Sequence, residues 1–378
     1  MARTANVMLH SRRPQDLPPR EDYADARTPP NAAAASAGSP GVLSGWPALL
    51  LALIVAAAAV FSFSHRPMPP FPETVTRADG LLVTGLAQSG ERRIAVGELG
   101  RILVADSAKG PWREVLVAPQ RGSTFTRAIF TDADTAIAVG HDGWIVRSTD
   151  RGETWNEVVF DPERGEALLG VAGPFDGKLY AYGAFGQFLV STDNGGSWQH
   201  EKHAAIGDRH LSAMSQARDG ALVIVGETGL MARSTDRGAT WTKLPEVYKG
   251  SFYGLQRLPD DALLAYGMRG NAFLSSDDGQ SWTRSVVPGG MSLYDSMIDK
   301  DGAVILVGEN SSVFRSTDNG RRFEMITEGD RKRYASVLPV TDGSGWLVAG
   351  EAGIGLQKQP GDVAGGSAAE HAGKGAPR

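Results

Sequence analysis

Residues 222–241 read LVIVGETGLMARSTDRGATW. In this stretch an apolar strand ends in a glycine, a tight turn and a second strand follow, and the segment closes on a Ser-x-Asp-x-Gly-x-Thr-Trp box. Strands that end in glycine in this way occur seven times, 41 to 43 residues apart, with their glycines at Gly97, Gly140, Gly183, Gly226, Gly267, Gly308 and Gly350. A regular period of this length predicts a repeat architecture.

Each repeat contains short apolar segments that are separated by Asp-Gly, Gly-Glu or Asn-Gly turn signals. In the fourth repeat these segments are residues 211–216, 222–227, 230–235 and 241–244. Four short strands in roughly 40 residues are typical of one blade of a β-propeller. The sequence therefore predicts an all-β fold, a seven-bladed β-propeller over residues 71–359.

The last repeat shows only three strands before the chain becomes polar, which would leave one blade with an unpaired edge. Residues 71–77, FPETVTR, precede the first repeat and resemble the outer-strand segments. We predict that this segment adds the missing strand and closes the ring. The alternative is an open solenoid, which would need polar capping repeats that the sequence does not show.

The Ser-x-Asp-x-Gly box is present in five repeats. These copies are residues 148–155, 191–198, 234–241, 275–282 and 316–323. In the first repeat the box has degenerated to ADSAKGPW, which keeps only Trp112, and the fifth complete copy ends in Phe323.

We expect the boxes to be structural. Ser and Asp would accept backbone N–H bonds in the turn, glycine would adopt a positive φ, and the aromatic residue would pack between blades. A role as metal ligands or acids is disfavoured, because aspartates in five separate blades cannot converge. The residues assigned to this structural role are Ser148, Asp150, Gly152, Trp155, Ser191, Asp193, Gly195, Trp198, Ser234, Asp236, Gly238, Trp241, Ser275, Asp277, Gly279, Trp282, Ser316, Asp318 and Gly320.

Composition excludes several kinds of site. Lysine plus arginine number 38 against 43 aspartate plus glutamate, so a nucleic-acid partner is not indicated. The chain has no cysteine, and its seven histidines show no metal-binding spacing. We predict no catalytic residue, no metal and no cofactor.

The chain before the repeats has a different character. Residues 1–41 are rich in proline and arginine without an apolar period, which predicts disorder. Residues 42–63 contain the unbroken apolar run 48–61, which predicts a transmembrane anchor, or alternatively the core of a cleavable signal peptide. At the other end, residues 360–378 are predicted to be a disordered tail.

Charge around the apolar segment predicts its orientation. Arginine is richer before this segment than just after it, so the N-terminus would be cytoplasmic and the propeller would lie in the periplasm. Cleavage of the segment would instead leave a periplasmic or secreted propeller.

One face of the propeller is the better candidate for binding. If the boxes join third to fourth strands, the opposite face carries the turns between second and third strands and the loops between blades. That face holds arginine and aromatic residues, a mixture that protein interfaces favour. Its candidate partner-binding residues are Arg127, Arg209, Arg269, Arg331, Arg333 and Tyr253.

Glycine-ended strands followed by the box, repeated seven times behind an export segment, resemble the BNR or Asp-box repeat proteins, specifically the photosystem II stability/assembly factor-like group. The resemblance covers about residues 71–359. It implies a membrane-associated, non-enzymatic scaffold, which binds an integral membrane protein or membrane complex during assembly. It also implies an arginine-rich patch on the propeller, for which Arg127, Arg209, Arg269 and Arg333 are candidates. We separately predict that the propeller is monomeric.

An enzyme or a glycan-binding protein is the alternative, because Asp boxes also occur in sialidases and related glycoside hydrolases. A sialidase needs three convergent arginines, a tyrosine with an assisting glutamate, and an acid. Tyr253 and Glu227 could take two of these roles. However, sialidases have six blades, and the repeats lack the long insertions that usually build such a cleft. We therefore favour the scaffold.

Overall fold

The computed structural model describes residues 45–64 and 78–358. The chain divides into two compact units, Met1–Pro72 and Glu73–Arg378. Three predictions lie outside the described residues: the disorder of 1–41, the strand at 71–77 and the tail at 360–378.

The first unit contains one described helix, α1 (Trp46–Phe63), with proline in its first turn, where the missing N–H breaks no helical bond. The helix has a mean hydropathy of 2.3 and none of its side chains is buried. With 18 residues it is about 27 Å long, close to the hydrocarbon thickness of a bilayer. It is thus long and apolar enough to cross a membrane, and a signal sequence would have the same character.

The second unit is a seven-bladed β-propeller, as the repeats predicted. Each blade is an antiparallel sheet whose strands follow one another from the axis outwards. The first blade contains β1 (Val83–Ser89), β2 (Arg92–Gly97), β3 (Ile102–Ala105) and β4 (Arg113–Val115), and β5 (Val117–Ala118) follows it. The second blade contains β6 (Phe125–Phe130), β7 (Ala136–Gly140), β8 (Ile145–Ser148) and β9 (Trp155–Val159). The third blade contains β10 (Leu168–Phe175), β11 (Lys178–Gly183), β12 (Phe188–Ser191) and β13 (Gln199–His200).

The remaining four blades repeat the pattern, except that the last blade has three strands among the described residues. The fourth blade contains β14 (Leu211–Gln216), β15 (Leu222–Gly226), β16 (Met231–Ser234) and β17 (Thr242–Lys243), and the fifth contains β18 (Phe252–Arg257), β19 (Leu263–Gly267), β20 (Ala272–Ser275) and β21 (Thr283–Arg284). The sixth blade contains β22 (Leu293–Ile298), β23 (Val304–Gly308), β24 (Val313–Ser316) and β25 (Glu324–Thr327). The seventh blade contains β26 (Tyr334–Pro339), β27 (Gly345–Gly350) and β28 (Gly353–Lys358).

The ring of blades is closed. The inner strand of every blade contacts the inner strands on both sides, including β26 of the last blade with β1 of the first. At this junction the backbone N–H of Leu86 donates to Ser336 Oγ at 3.1 Å. Leu86 and Leu103 of the first blade also share a buried cluster with Leu347 and Ala349 of the last. The open solenoid is therefore wrong.

The core lies between the blades. Trp155 of the second blade, for example, is buried in one cluster with Ile94 and Val104 of the first blade. Trp241 of the fourth blade joins Phe188 of the third in the same manner. Since every cluster is shared by two neighbours, the apolar face of each sheet is covered only in the complete ring.

One strand was not predicted. β5 continues beyond the first blade and pairs in parallel with β9, so the second sheet has five strands. The register joins Val117 to Trp155 and Ala118 to Asn156. The pairing links the outer edges of two blades and shields an exposed edge.

Two faces of the propeller can now be defined. The box face carries the boxes and the turns between first and second strands, as shown by Arg151, whose N–H donates to Asp134 O at 2.8 Å. The loop face carries the turns between second and third strands and the loops between blades. There the N–H of Gly143 donates to Glu166 O at 2.9 Å.

Each box is a closed set of hydrogen bonds. In the third blade Ser191 Oγ donates to Asp193 Oδ1 at 2.8 Å and accepts the N–H of Gly195 at 2.9 Å. The N–H of Ser197 reaches the same carboxylate oxygen at 2.9 Å, and its hydroxyl reaches the other at 2.7 Å. Gly195 has φ +80°. Both carboxylate oxygens of the aspartate thus accept hydrogen bonds from its own turn.

The boxes predict a dependence of stability on acid pH. Hydrogen bonds from Ser197 and then Ser191 lower the pKa of Asp193 to about 2, and those from Thr240 and Ser234 do the same for Asp236. Because both folded-state values lie below the ordinary value of 3.8, the stabilisation is complete above about pH 5 and is lost as the pH falls towards 2. We expect the free energy of unfolding in urea to fall across this range.

The matched control is the double variant Asp193→Asn, Asp236→Asn, whose side chains do not titrate there. Its free energy of unfolding should change less than that of the natural protein between pH 5 and 2. If the free energy of unfolding fell equally steeply with pH in the two proteins, these two box aspartates would not contribute to the pH dependence of stability.

Candidate functional site

A cavity of about 350 Å³ lies on the propeller axis. All seven inner strands contribute to its wall. Three further residues complete the wall: Tyr182 of β11, Tyr266 of β19, and Arg333, which directly precedes β26. The second residues of the inner strands form its level nearest the loop face, and they are Thr84, Thr126, Leu169, Ser212, Tyr253, Tyr294 and Ala335.

The next level into the cavity has a different composition. Four of the seven third residues, Gly85, Gly170, Ala213 and Gly254, are glycine or alanine. The other three are Arg127, Asp295 and Ser336. Small residues leave the axis open, so the polar chemistry of this level depends on three side chains.

Arg127 and Asp295 form an ion pair across the axis, between the second and sixth blades. Arg127 Nη2 lies 3.1 Å from Asp295 Oδ1, and the two side chains are 38% and 5% exposed. The other carboxylate oxygen accepts Ser336 Oγ at 2.7 Å and the N–H of Val337 at 3.0 Å. The charge of Asp295 raises the pKa of Arg127. The pair therefore joins three inner-strand positions into one network.

Two tyrosines that the sequence reasoning missed line the same cavity. Tyr182 accepts the N–H of Met214 at 3.1 Å, and burial raises its pKa to about 12. Tyr266 donates to Ser296 Oγ at 2.9 Å, and burial raises its pKa also. Both hydroxyls are thus held neutral and oriented by neighbouring blades.

A sequence signal for these tyrosines exists. In the register of the sheets, Tyr182 lies opposite Gly170 and Tyr266 lies opposite Gly254. A Cβ at Gly254 would lie 2.0 Å from Cζ of Tyr266, so the glycine is needed for the ring to pass over the inner strand. Glycine at the third position of an inner strand together with tyrosine just before the repeat glycine marks a side chain that reaches the axis.

The mouth of the cavity on the loop face holds stacked aromatic rings beside an arginine that is paired with a glutamate. The rings of Tyr253 and Tyr294 stack with centroids 5.4 Å apart, and the guanidinium carbon of Arg333 lies 5.8 Å from the Tyr294 centroid. Tyr294 donates to Glu309 Oε1 at 3.2 Å, and Arg333 Nε lies 3.1 Å from Glu351 Oε1. Burial, and then the charge of Glu309, raises the pKa of both tyrosines. The mouth is thus a neutral aromatic pair beside the ion pair of Arg333 and Glu351.

The six partner-binding candidates from the sequence divide into those that line the cavity and those that do not. Arg127, Tyr253 and Arg333 line the cavity together. Arg209, Arg269 and Arg331 do not line it, although they lie on turns and loops of the loop face.

Four glutamates near the mouth have a structural role that the sequence reasoning also missed. Each follows a repeat glycine and accepts an N–H at the start of its own blade's inner strand. The donor and acceptor pairs are Leu82 with Glu98, His210 with Glu227, Ser292 with Glu309, and Arg333 with Glu351, at 2.9 to 3.3 Å. The Gly-Glu dipeptide repeated at these turns was the available signal.

Within residues 45–64 and 78–358, no group of three acidic or histidine side chains is arranged to hold a metal ion. The cavity instead offers tyrosine hydroxyls, aromatic faces and one guanidinium at its mouth. This arrangement can bind an extended segment that carries an aromatic side chain and polar groups.

No protein-family model matches the chain, and no curated protein matches its sequence. Solved structures of the same fold do match. YCF48 bound to D1 peptide is 17% identical with a TM-score of 0.59, over 73% of this chain and 92% of that one. YCF48 from Cyanidioschyzon merolae is 16% identical with a TM-score of 0.59, over 76% and 98%. Virginiamycin B lyase from Staphylococcus aureus with quinupristin is 15% identical with a TM-score of 0.63, over 75% and 96%.

These likenesses extend over the propeller and agree with the fold that the resemblance to assembly factors implied. They include both a peptide-binding protein and a lyase. The fold by itself therefore does not separate a scaffold from an enzyme.

Proposed function

We propose that this protein is a non-enzymatic, monomeric scaffold. It is anchored by α1 with its propeller in the periplasm, and it binds an exposed segment of an integral membrane protein at the loop-face mouth of the axial cavity. By this binding it assists the assembly or stability of a membrane complex. The observation that carries the proposal is the stacked Tyr253 and Tyr294 pair beside Arg333.

The mouth is organised before any partner binds. Glu309 holds the hydroxyl of Tyr294, and Glu351 holds the guanidinium of Arg333. Tyrosine and arginine are enriched among the residues that dominate binding energy at interfaces. Side chains that are already oriented lose less conformational entropy on binding, which favours recognition of a flexible segment.

The YCF48 structure supports the choice of ligand class. It has the same fold and contains a D1 peptide. A peptide segment of a membrane protein is accordingly the ligand class that we assign to this chain. The exposed apolar helix α1 supports a site of action at a membrane.

The enzyme alternatives find less support in the cavity. A sialidase needs three convergent arginines, whereas the described lining contains Arg127 and Arg333, and Arg127 is already paired with Asp295. Glu227, the sequence-based candidate for assisting Tyr253, is not a lining residue and accepts a backbone N–H instead. A catalytically inactive histidine variant is known for virginiamycin B lyase, and no histidine lines this cavity among the described residues.

Capture of a partner by the full-length chain tests the proposal. The detergent-solubilised protein is used to isolate integral membrane proteins from its own cells. Synthetic peptides that cover the non-membrane segments of those proteins are then titrated into the purified chain to measure their affinities. We expect Arg333→Glu to weaken the best peptide at least tenfold, because it replaces the cation beside Tyr294 by an anion. Arg333 is 47% exposed, so this variant should fold.

The matched control is Arg237→Glu, which reverses an exposed charge on the box face. It should leave peptide affinity unchanged. A large effect of Arg331→Glu without one of Arg333→Glu would place binding on the outer loops and contradict a site at the mouth. Turnover of a fluorogenic sialoside by the purified protein would contradict the scaffold altogether.

A further inference from the structure

A second concave site lies at the loop-face rim of the third blade, away from the axis. We call it the third-blade pocket. It has a volume of about 790 Å³, within the range of about 300 to 1,000 Å³ that is usual for small-ligand sites. Its wall combines the turn 185–188, the outer strand and loop 200–208, and two residues of the preceding loop. The pocket shares no lining residue with the axial cavity.

One buried polar group in its wall is left without a hydrogen bond. Gln187 is 5% exposed, and its side-chain oxygen has no partner among the described residues. Nε2 of His203 is also buried, but it lies 3.2 Å from a carboxylate oxygen of Glu201 and so has a polar neighbour in the fold. Buried polar groups in folded proteins are nearly always paired. The unpaired amide oxygen of Gln187 in the wall of a pocket points to a ligand that supplies the missing bond.

The rim of the pocket carries an exposed aromatic ring on a strained backbone. Phe185 is 60% exposed, and its φ of +52° lies in the left-handed region that disfavours such residues. Its ring meets His210 edge-on at 4.9 Å, which leaves a face of the ring open. The equivalent turn residues of the other blades up to the sixth also have a positive φ, so this backbone conformation belongs to the turn; they are Leu99, Asp142, Thr228, Arg269 and Asn310. Only the third blade places an aromatic ring at this position among these turns, and an exposed ring beside a pocket favours a binding role.

The charges around the pocket are of both signs. Its wall contains two cationic side chains, Arg164 and Lys202. It also contains three acidic side chains, Glu166, Glu201 and Asp208. Arg164 is already paired with Asp161, at 3.1 Å. A strongly charged ligand would therefore meet repulsion on one side, and a neutral one is favoured.

From these features we propose that the third-blade pocket binds a neutral sugar unit of a glycan. A sugar hydroxyl both donates and accepts, so it can donate to the amide oxygen of Gln187 and accept from a neighbouring donor. The C–H face of a pyranose ring is apolar and fits the open face of Phe185, and the mixed charges suit its ring of hydroxyls. The inference is independent of peptide binding at the axis.

The test titrates the full-length chain with three neutral probes, cellotriose, chitotriose and maltotriose, using saturation-transfer NMR followed by calorimetry. The protein is held in lauryldimethylamine oxide, because alkyl glycoside detergents would compete. We expect at least one probe to bind, and Phe185→Asn and Gln187→Leu each to weaken it at least tenfold. Asparagine tolerates the left-handed turn, and leucine replaces an unpaired buried amide, so neither variant should lower the Tm.

The matched control is Leu99→Asn. Leu99 occupies the same turn position in the first blade, is 58% exposed at φ +57°, and is not part of the pocket. This variant should bind the probe as the natural protein does. The proposal is overturned if no probe binds, if Phe185→Asn and Gln187→Leu bind normally, or if Gln187→Leu lowers the Tm by several degrees, which would show that the amide has a partner in the fold.

Discussion

Replacing Gly226 by alanine is expected to lower the free energy of unfolding by about 4 kcal/mol and the Tm by about 10 °C. Gly226 has an extended backbone, with φ −166°, so its conformation is open to any residue. The constraint is space, because a Cβ would lie 2.1 Å from the carbonyl oxygen of His210. That oxygen accepts the N–H of Glu227 at 3.0 Å. A methyl group would push the two segments apart and break this bond.

The measurement is urea unfolding of the full chain, with Gly80→Ala as the control. A Cβ at Gly80 would meet nothing within 4 Å, so this variant should be close to the natural protein in stability. If Gly226→Ala lowered the free energy of unfolding by less than about 1 kcal/mol, as surface substitutions do, the segment that contains His210 would have to move aside at little cost.

The same close approach explains why the fold could be predicted from the repeats. At all seven repeat glycines a Cβ would lie 2.0 to 2.3 Å from a carbonyl oxygen of the segment entering the inner strand. Each blade therefore requires glycine at one position, and the requirement appears in the sequence as a period. The boxes recur for a related reason, since each one satisfies its own turn with local hydrogen bonds.

The axial cavity could be predicted only in part. Arg127, Tyr253 and Arg333 were chosen because they are arginine or tyrosine on the correct face. Asp295 was missed, because its partner Arg127 lies 168 residues away and the contact exists only when two blades face each other across the axis. A pairing of this kind leaves no local pattern. The third-blade pocket was missed for a similar reason, since the sequence does not reveal that the Gln187 amide lacks a partner.

Replacing Asp295 by alanine is the second change with a large expected effect, a loss of about 3 kcal/mol of stability and about 8 °C in Tm. The substitution leaves Arg127 without its counterion and removes the acceptor of Ser336 and Val337. Loss of one partner of a buried ion pair costs about 3 to 5 kcal/mol, and the lower end applies because Arg127 is 38% exposed. The control is Arg257→Ala, which breaks an exposed pair with Asp261 and should cost less than about 1 kcal/mol.

A double-mutant cycle separates the ion pair from the other bonds of Asp295. Arg127→Met combined with Asp295→Asn should be less destabilised than the sum of the two single variants, because the double variant leaves no unpaired charge. Additive losses would mean that Arg127 and Asp295 do not interact. The pair lies one level below Tyr253 and Tyr294 and ties the second blade to the sixth and, through Ser336, to the seventh. We therefore expect Asp295→Ala to weaken peptide binding at the mouth as well, because loosened inner strands no longer hold the stacked tyrosines in position before binding.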